Sequence, residues 1–213
     1  MMKKMNKKIL TPAIVGIFSI IVIFSLYFSN ENDLFHVSKM NLSYDSSNSK
    51  IQSMLEKNGI AMSTPLKIKG DSIDEYCKFF SDDALQNSIQ YCTSTELIDS
   101  NGHFVGNIHM VGDLNFPFAV LGVMQTDPFM SELGSVKSVS ESMVESLVCD
   151  CWAEKKPGSF KSVSEWLDTV KSYHLQAKKI TSKSEINGLA QRQLLVEITT
   201  NTEGYLWKFI VTN

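Results

Sequence analysis

The 213-residue chain has no glycine loop of the phosphate-binding kind, no nucleophile elbow and no His-Glu-x-x-His helix. That removes the common signatures of nucleotide binding, serine hydrolysis and zinc peptidase chemistry. Histidine is sparse, with four in the chain. His103 and His109 share the face of an expected strand but lie about 20 Å apart along it, too far to ligate one ion. His36 falls in a polar stretch, and His174 at an expected helix end, where an imidazolium suits the local dipole. There is no Cys-x-x-Cys, only one Cys-x-Cys, and no blue-copper order of Cys, His and Met. No cofactor is implied, and no residue requires catalysis to explain it.

Positive charge is also short once the leader is set aside. Four of the 20 basic residues stand in the first eight positions, which leaves 16 against 23 acidic residues, a net charge of −7. Such a domain lacks the basic face that nucleic acid requires. It is equally unsuited to hugging anionic lipid.

What is present begins with Lys3, Lys4, Lys7 and Lys8, directly before an uncharged apolar run from Ile9 to Phe28. A helix of that length spans about 30 Å, the thickness of a bilayer's hydrocarbon core. Lysines before it and the acidic patch Asn30-Glu31-Asn32-Asp33 after it orient the N-terminus to the cytoplasm and the rest outside. A cleaved signal peptide has a shorter apolar segment and a pair of small residues at the cut. Here Ser25 and Ser29 are preceded two positions back by Ile23 and Tyr27. The expectation is an uncleaved signal anchor: leader 1–8, transmembrane anchor 9–29, tether 30–48 and an extracytoplasmic domain 49–213. One sequon, Asn41-Leu42-Ser43, lies on the outer side near the membrane.

Within the domain, Ser49 with Gln52 forms a capping box ahead of Ile51, Met54 and Leu55, closed by Asn58-Gly59. Ser72 with Glu75 repeats the spacing, and Ile73, Tyr76, Cys77 and Phe80 fall on one helical face. Strands are expected at 89–97 and 103–111, joined at Ser100-Asn101-Gly102, and at 116–124, where apolar residues on both parities predict cover on both faces. Val136 to Cys151 then recur at helical spacing, and Ser162 with Glu165 opens a helix carrying Val163, Trp166, Leu167, Val170 and Tyr173. Strands follow at 175–186, 191–200 and 205–212. The carboxylates Asp71, Asp74 and Glu75 suit a helix start, and Asp82-Asp83 reads as a loop. Trp152, Trp166 and Trp207 fit core positions.

Helices followed by hairpin-linked strands predict an α+β domain, an antiparallel sheet with helices packed on one face. Residues 49–126 and 134–213 have the same order of elements, two αα-βββ halves. The closing strands, with Trp207-Lys208-Phe209 near the end, resemble the tail of cystatin-like or nuclear-transport-factor-2-like domains. That resemblance implies a fold for the C-terminal half and carries over no site residue.

Four cysteines outside the cytoplasm are candidates for disulfides. Closing the loop from Cys77 to Cys92 would contribute about 3 kcal/mol, and this is the expected pair. Cys149 and Cys151 point about 200° apart in a helix and sit about 6.6 Å apart in a strand, so a bond between them requires irregular backbone. The expectation leaves them as thiols, or one of them bonded elsewhere. Two thiolates at this spacing can hold copper(I) or exchange disulfides, which makes Cys149 and Cys151 the candidate metal residues. The reading is thus a single-pass membrane protein anchored in the bilayer through 9–29. Its outward domain serves as a non-catalytic binding or assembly module for a protein or envelope partner. The alternative is a tethered thiol protein working through Cys149 and Cys151.

Overall fold

A computed structural model describes residues 40–213; the run expected to form the anchor, and His36, lie outside the described residues. Among the described residues no helix is long and apolar enough to cross a membrane.

Alternating apolar and polar residues build eight strands: β1 (Ile60–Met62), β2 (Leu66–Lys69), β3 (Tyr91–Asp99), β4 (Phe104–Gly112), β5 (Pro117–Thr126), β6 (Thr181–Leu189), β7 (Arg192–Asn201) and β8 (Gly204–Thr212). They form one sheet in the order β1-β3-β4-β5-β8-β7-β6, with β2 also paired to β3, and every pairing is antiparallel. The third strands of the two meanders, β5 and β8, meet at the centre with Gly122 opposite Phe209. Residues of both expected halves therefore share one sheet, and residues 40–213 belong to one compact unit.

Three long helices, α1 (Tyr44–Lys57), α4 (Leu133–Leu147) and α6 (Val163–Ala177), cover one face. α4 lies between the other two and touches both strands of the central seam. A Cβ on Gly122 would meet Met143 Sδ at 2.9 Å and Val139 Cγ1 at 3.6 Å, so glycine there lets α4 settle close to the sheet. Ile51, Leu55, Val139, Met143, Trp166 and Leu167 pack from the helices against Leu97, Ile108, Met110, Met124, Trp207 and Phe209 of the sheet. Trp166, with no exposed surface, has its ring 6.0 Å from that of Trp152 and 5.9 Å from that of Phe209. Its Nε1 donates to Ser184 Oγ at 2.8 Å, so the one polar atom of the indole is satisfied.

The opposite face is not bare, which corrects the one-faced expectation. Two single-turn helices, α2 (Ser72–Tyr76) and α3 (Asp83–Asn87), and the chain around them cover its β3–β5 side. The Gln86 side chain ties that segment together, accepting from the Phe79 and Phe80 amides and donating to the Cys77 carbonyl at 3.0 Å. β5 is accordingly covered on both sides, with Val120 and Met124 under the long helices and Ala119 and Leu121 buried on the other parity.

Several boundaries differ from the sequence reading. The first helix begins at Tyr44 with Ser43 as its N-cap, accepting from the Ser46 amide at 3.3 Å, so Ser49 lies inside the helix. The polar run after Tyr44, Asp45 to Ser49, concealed the start of the helix, because Tyr44 and Ser47 are the only buried residues before Ile51. Met40 is also buried, and its amide reaches the Pro117 carbonyl at 2.8 Å, so the end of the expected tether belongs to the domain. Asp82 is an N-cap accepting from the Leu85 amide at 2.7 Å, where a loop was expected. α6 runs to Ala177 and ends at Lys178 in the left-handed region, so the strand after it starts at Thr181 and not at Leu175. Tyr76, expected on the buried helical face, is 58% exposed because α2 stops after five residues.

Candidate functional site

The expected Cys77–Cys92 pair is present as a disulfide with Cα atoms 6.4 Å apart. Cys77 caps the C-terminus of α2 and Cys92 lies on β3 opposite Ile68 of β2, so the bond staples the second-face segment to the sheet. Both residues are fully buried.

Cys149 and Cys151 depart from expectation. α4 ends at Leu147, the amides of Val148 and Cys149 both reach back to the Val144 carbonyl, and the chain bends before the short α5 (Trp152–Lys155). This is the irregular backbone that a bond across two positions demands. The Cα atoms stand 5.1 Å apart, and the two cysteines are paired with each other as a second disulfide. They are not left as thiols, and the bend turns Asp150 out to solvent where a continued helix would have carried it near the apolar stripe. Both sulfur-bearing residues are half-buried, unlike Cys77 and Cys92. In the bonded state neither offers a thiolate to a metal. Among the described residues no group of three or more His, Cys, Asp or Glu side chains is placed to hold an ion.

The histidines separate in environment. His103 is exposed in the β3–β4 turn beside Asp99, which accepts from the Asn101 and His103 amides at 2.8 Å; the bond from the His103 amide does most to hold its carboxyl below the ordinary range. His109 faces the second side of the sheet between Ser94 and Leu121, its ring 4.5 Å from that of Phe79. Burial pushes its pKa down to about 4, and Nδ1 meets no hydrogen-bond partner among the described residues. His174, expected as an imidazolium at a helix end, is buried at 2% exposure between Ser182 Oγ, 2.9 Å from Nδ1, and Thr200 Oγ1, 2.8 Å from Nε2. Burial lowers its pKa, opposite to the direction in which the helix dipole would move it.

The two outer strands of the meanders are treated differently. The outer edge of β3 is covered along its whole length: β1 pairs with Leu97 to Asp99, β2 pairs with Tyr91 to Ser94, and Ser63 bridges both backbone groups of Glu96 at 3.0 Å. β6, its counterpart in the second half, has β7 on one side and no strand on the other among the described residues. The Thr200 amide donates to the Ile180 carbonyl at 2.8 Å, which fixes the alternation. Ile180, Ser182, Ser184 and Ile186 turn their backbone groups to β7, and Thr181, Lys183, Glu185 and Asn187 turn theirs outward. The side chains of Ser182, Ser184 and Ile186 face the helices, and those of Thr181, Lys183, Glu185 and Asn187 are exposed. Next to this edge on the open face Glu197 of β7 receives Lys208 of β8 at 3.0 Å and Lys183 of β6 at 3.4 Å.

Sequence reasoning missed this edge, because position in a sheet depends on strand order and not on any residue. The alternation of Lys183, Glu185 and Asn187 was the one available signal. A scan against protein-family models and searches of curated proteins and of solved structures found no match.

Proposed function

We propose that this is a single-pass membrane protein, anchored by Ile9 to Phe28, that displays its α+β domain outside the cytoplasm as a non-catalytic binding or assembly module. The observation that carries the reading is the nine-residue strand β6, which has β7 on one side and no strand on the other among the described residues, on a sheet whose opposite end is blunted by the short strands β1 and β2. An edge with unpaired amides and carbonyls is a template for another strand, and proteins that do not use such an edge generally cover it. Two disulfides in the same domain support display in an oxidising compartment. The test is a tag after Asn213 on the full chain in intact cells stripped of any outer wall. External protease should remove it while a cytoplasmic control survives. Protection of the tag would sink the display reading.

A second reading, thiol–disulfide exchange, rests on the contrast between the half-buried Cys149–Cys151 pair and the buried Cys77–Cys92 pair. A partner thiolate attacks one sulfur of the pair to give a mixed disulfide and one free cysteine thiol. A second partner thiol then displaces the other, leaving the partner oxidised by two electrons and Cys149 and Cys151 as thiols. The reduced pair would then be the form able to hold copper(I). Under graded dithiothreitol with alkylation and peptide mass mapping, Cys149 and Cys151 should open well before Cys77 and Cys92. Simultaneous opening on global unfolding would refute the exchange reading.

A further inference from the structure

We propose that the free edge of β6 pairs with β6 of a second copy of this chain, an antiparallel two-fold contact that continues the sheet from one copy into the next. This deepens, and rests on, the assembly reading of the same edge.

The self-pairing follows from the charges and the direction of the backbone. Thr181, Lys183, Glu185 and Asn187 present outward amides and carbonyls, so they are the residues that can form hydrogen-bonded pairs with an added strand. With the two-fold axis at Ser184, Lys183 stands opposite Glu185 of the second copy, Glu185 opposite Lys183, and Thr181 and Asn187 opposite one another. Both cross-strand charge pairs are then attractive, and every outward backbone group of the four residues is used on both copies. Moving the axis by one residue places Lys183 opposite its own copy or Glu185 opposite its own copy, a like-charge contact that costs instead of contributing. The charges therefore favour this register over its two neighbours.

The geometry also explains why only this edge serves. At the other end of the sheet the edge strands are β1 and β2, of three and four residues, too short to pair as β6 can, so the two-fold contact uses up the one long edge and favours a dimer. Lys183 is 55% exposed in its contact with Glu197, which leaves its ammonium free to reach a partner carboxylate while Lys208 remains on Glu197.

The test uses the detergent-solubilised full chain in two tagged forms, read by sedimentation velocity and by co-purification of one tag with the other. The wild type should sediment as a dimer. Glu185→Lys places two lysines opposite two lysines, and Lys183→Glu places two glutamates opposite two glutamates, so each variant alone should self-associate at least about tenfold more weakly. An equal mixture of the two variants should restore a dimer containing one of each, because every cross-strand pair becomes Lys opposite Glu again. A wild type that remains monomeric overturns the pairing, even when the tag after Asn213 is exposed outside and the display reading stands. Single variants that dimerise as well as the wild type, through the anchor or another surface, overturn it too.

Discussion

Replacing His109 by leucine is expected to remove an acid sensitivity built into the second face of the sheet. In the folded protein the imidazole is packed against Phe79, between Ser94 and Leu121 on neighbouring strands, and burial alone accounts for the fall of its pKa to about 4 from 6.5. A folded pKa below the unfolded one means that the stabilising contribution is complete above the unfolded value, declines as pH falls through that window, and is exhausted below the folded value. The linkage gives a loss of about 2 kcal/mol at pH 5 and about 3 kcal/mol at pH 4, relative to a residue that does not titrate. His174 adds a loss of the same sign, but it is present in both proteins and cancels in the comparison. Leucine has nearly the volume of histidine and has no Nδ1 to leave unsatisfied, so the variant should be at least as stable as the wild type at neutral pH. The assay is denaturant unfolding of both proteins from pH 7.5 to 4.5 at constant ionic strength. The difference between the two midpoints should widen steadily on acidification. Parallel profiles would refute the argument, because they would mean that His109 protonates as readily in the folded state as in the unfolded chain. Amide exchange at Phe79 and Phe80 gives a local check, since those amides are held by Gln86 in the segment that lies on the histidine.

The two disulfides should differ in worth. Chain entropy assigns about 3 kcal/mol to the loop between Cys77 and Cys92 and about 1.5 kcal/mol to the short one between Cys149 and Cys151, so the double alanine variant of the first pair should unfold at clearly lower denaturant than that of the second. Equal losses would contradict the loop-length argument. Tyr44→Phe should cost about 1 kcal/mol, because its hydroxyl donates to the Asp113 carbonyl at 2.8 Å and joins the start of α1 to the β4–β5 loop. An unchanged midpoint would show that water replaces the bond without loss.

The helices and strands that were legible in the sequence are those in which one face is apolar over two or more turns or three or more alternations. Val136 to Leu147, Val163 to Val170 and the meander from Tyr91 to Thr126 are of this kind, and each is found close to where its pattern places it. Local chemistry was legible too: Ser162 accepts from the Glu165 amide at 3.1 Å as its capping box demands. What could not be read was whatever depends on a distant partner. Tyr44 and Ser47 are buried by residues far along the chain, so the polar run that carries them does not look helical. His174 sits at a helix end in sequence, yet its burial between α6 and the strands that carry Ser182 and Thr200 lowers its pKa where the helix dipole alone would raise it. The bond between Cys149 and Cys151 turns on where α4 stops: the apolar spacing continues through Cys151, and only Asp150, which a continued helix would carry near the apolar stripe, pointed to the frayed or bent end that the chain makes after Leu147. Cys77 and Cys92 were within reach because their separation alone makes a favourable loop.

The two meanders differ most in what precedes their outer strands. Between the end of α6 and the start of β6 the chain needs only residues 178–180, whereas between α1 and β3 it takes residues 58–90. That longer passage supplies β1, β2, α2, α3 and the Cys77 half of a disulfide, so one segment covers the outer edge of β3 and one half of the second face. A sheet edge left open by mere brevity would be short or broken by proline; β6 is nine residues long, contains no proline and pairs with β7 over nearly its full length. Its exposed face carries one lysine and one glutamate two positions apart, the spacing at which an antiparallel copy of the same strand sets each against the other. Where general avoidance of pairing was the only demand, two lysines would serve better than a lysine and a glutamate, since two lysines face one another in the register centred on Ser184, where this lysine and glutamate attract. The composition of the open edge thus fits selective pairing better than protection, and the shortness of β1 and β2 at the other end of the sheet favours two copies over a chain of them.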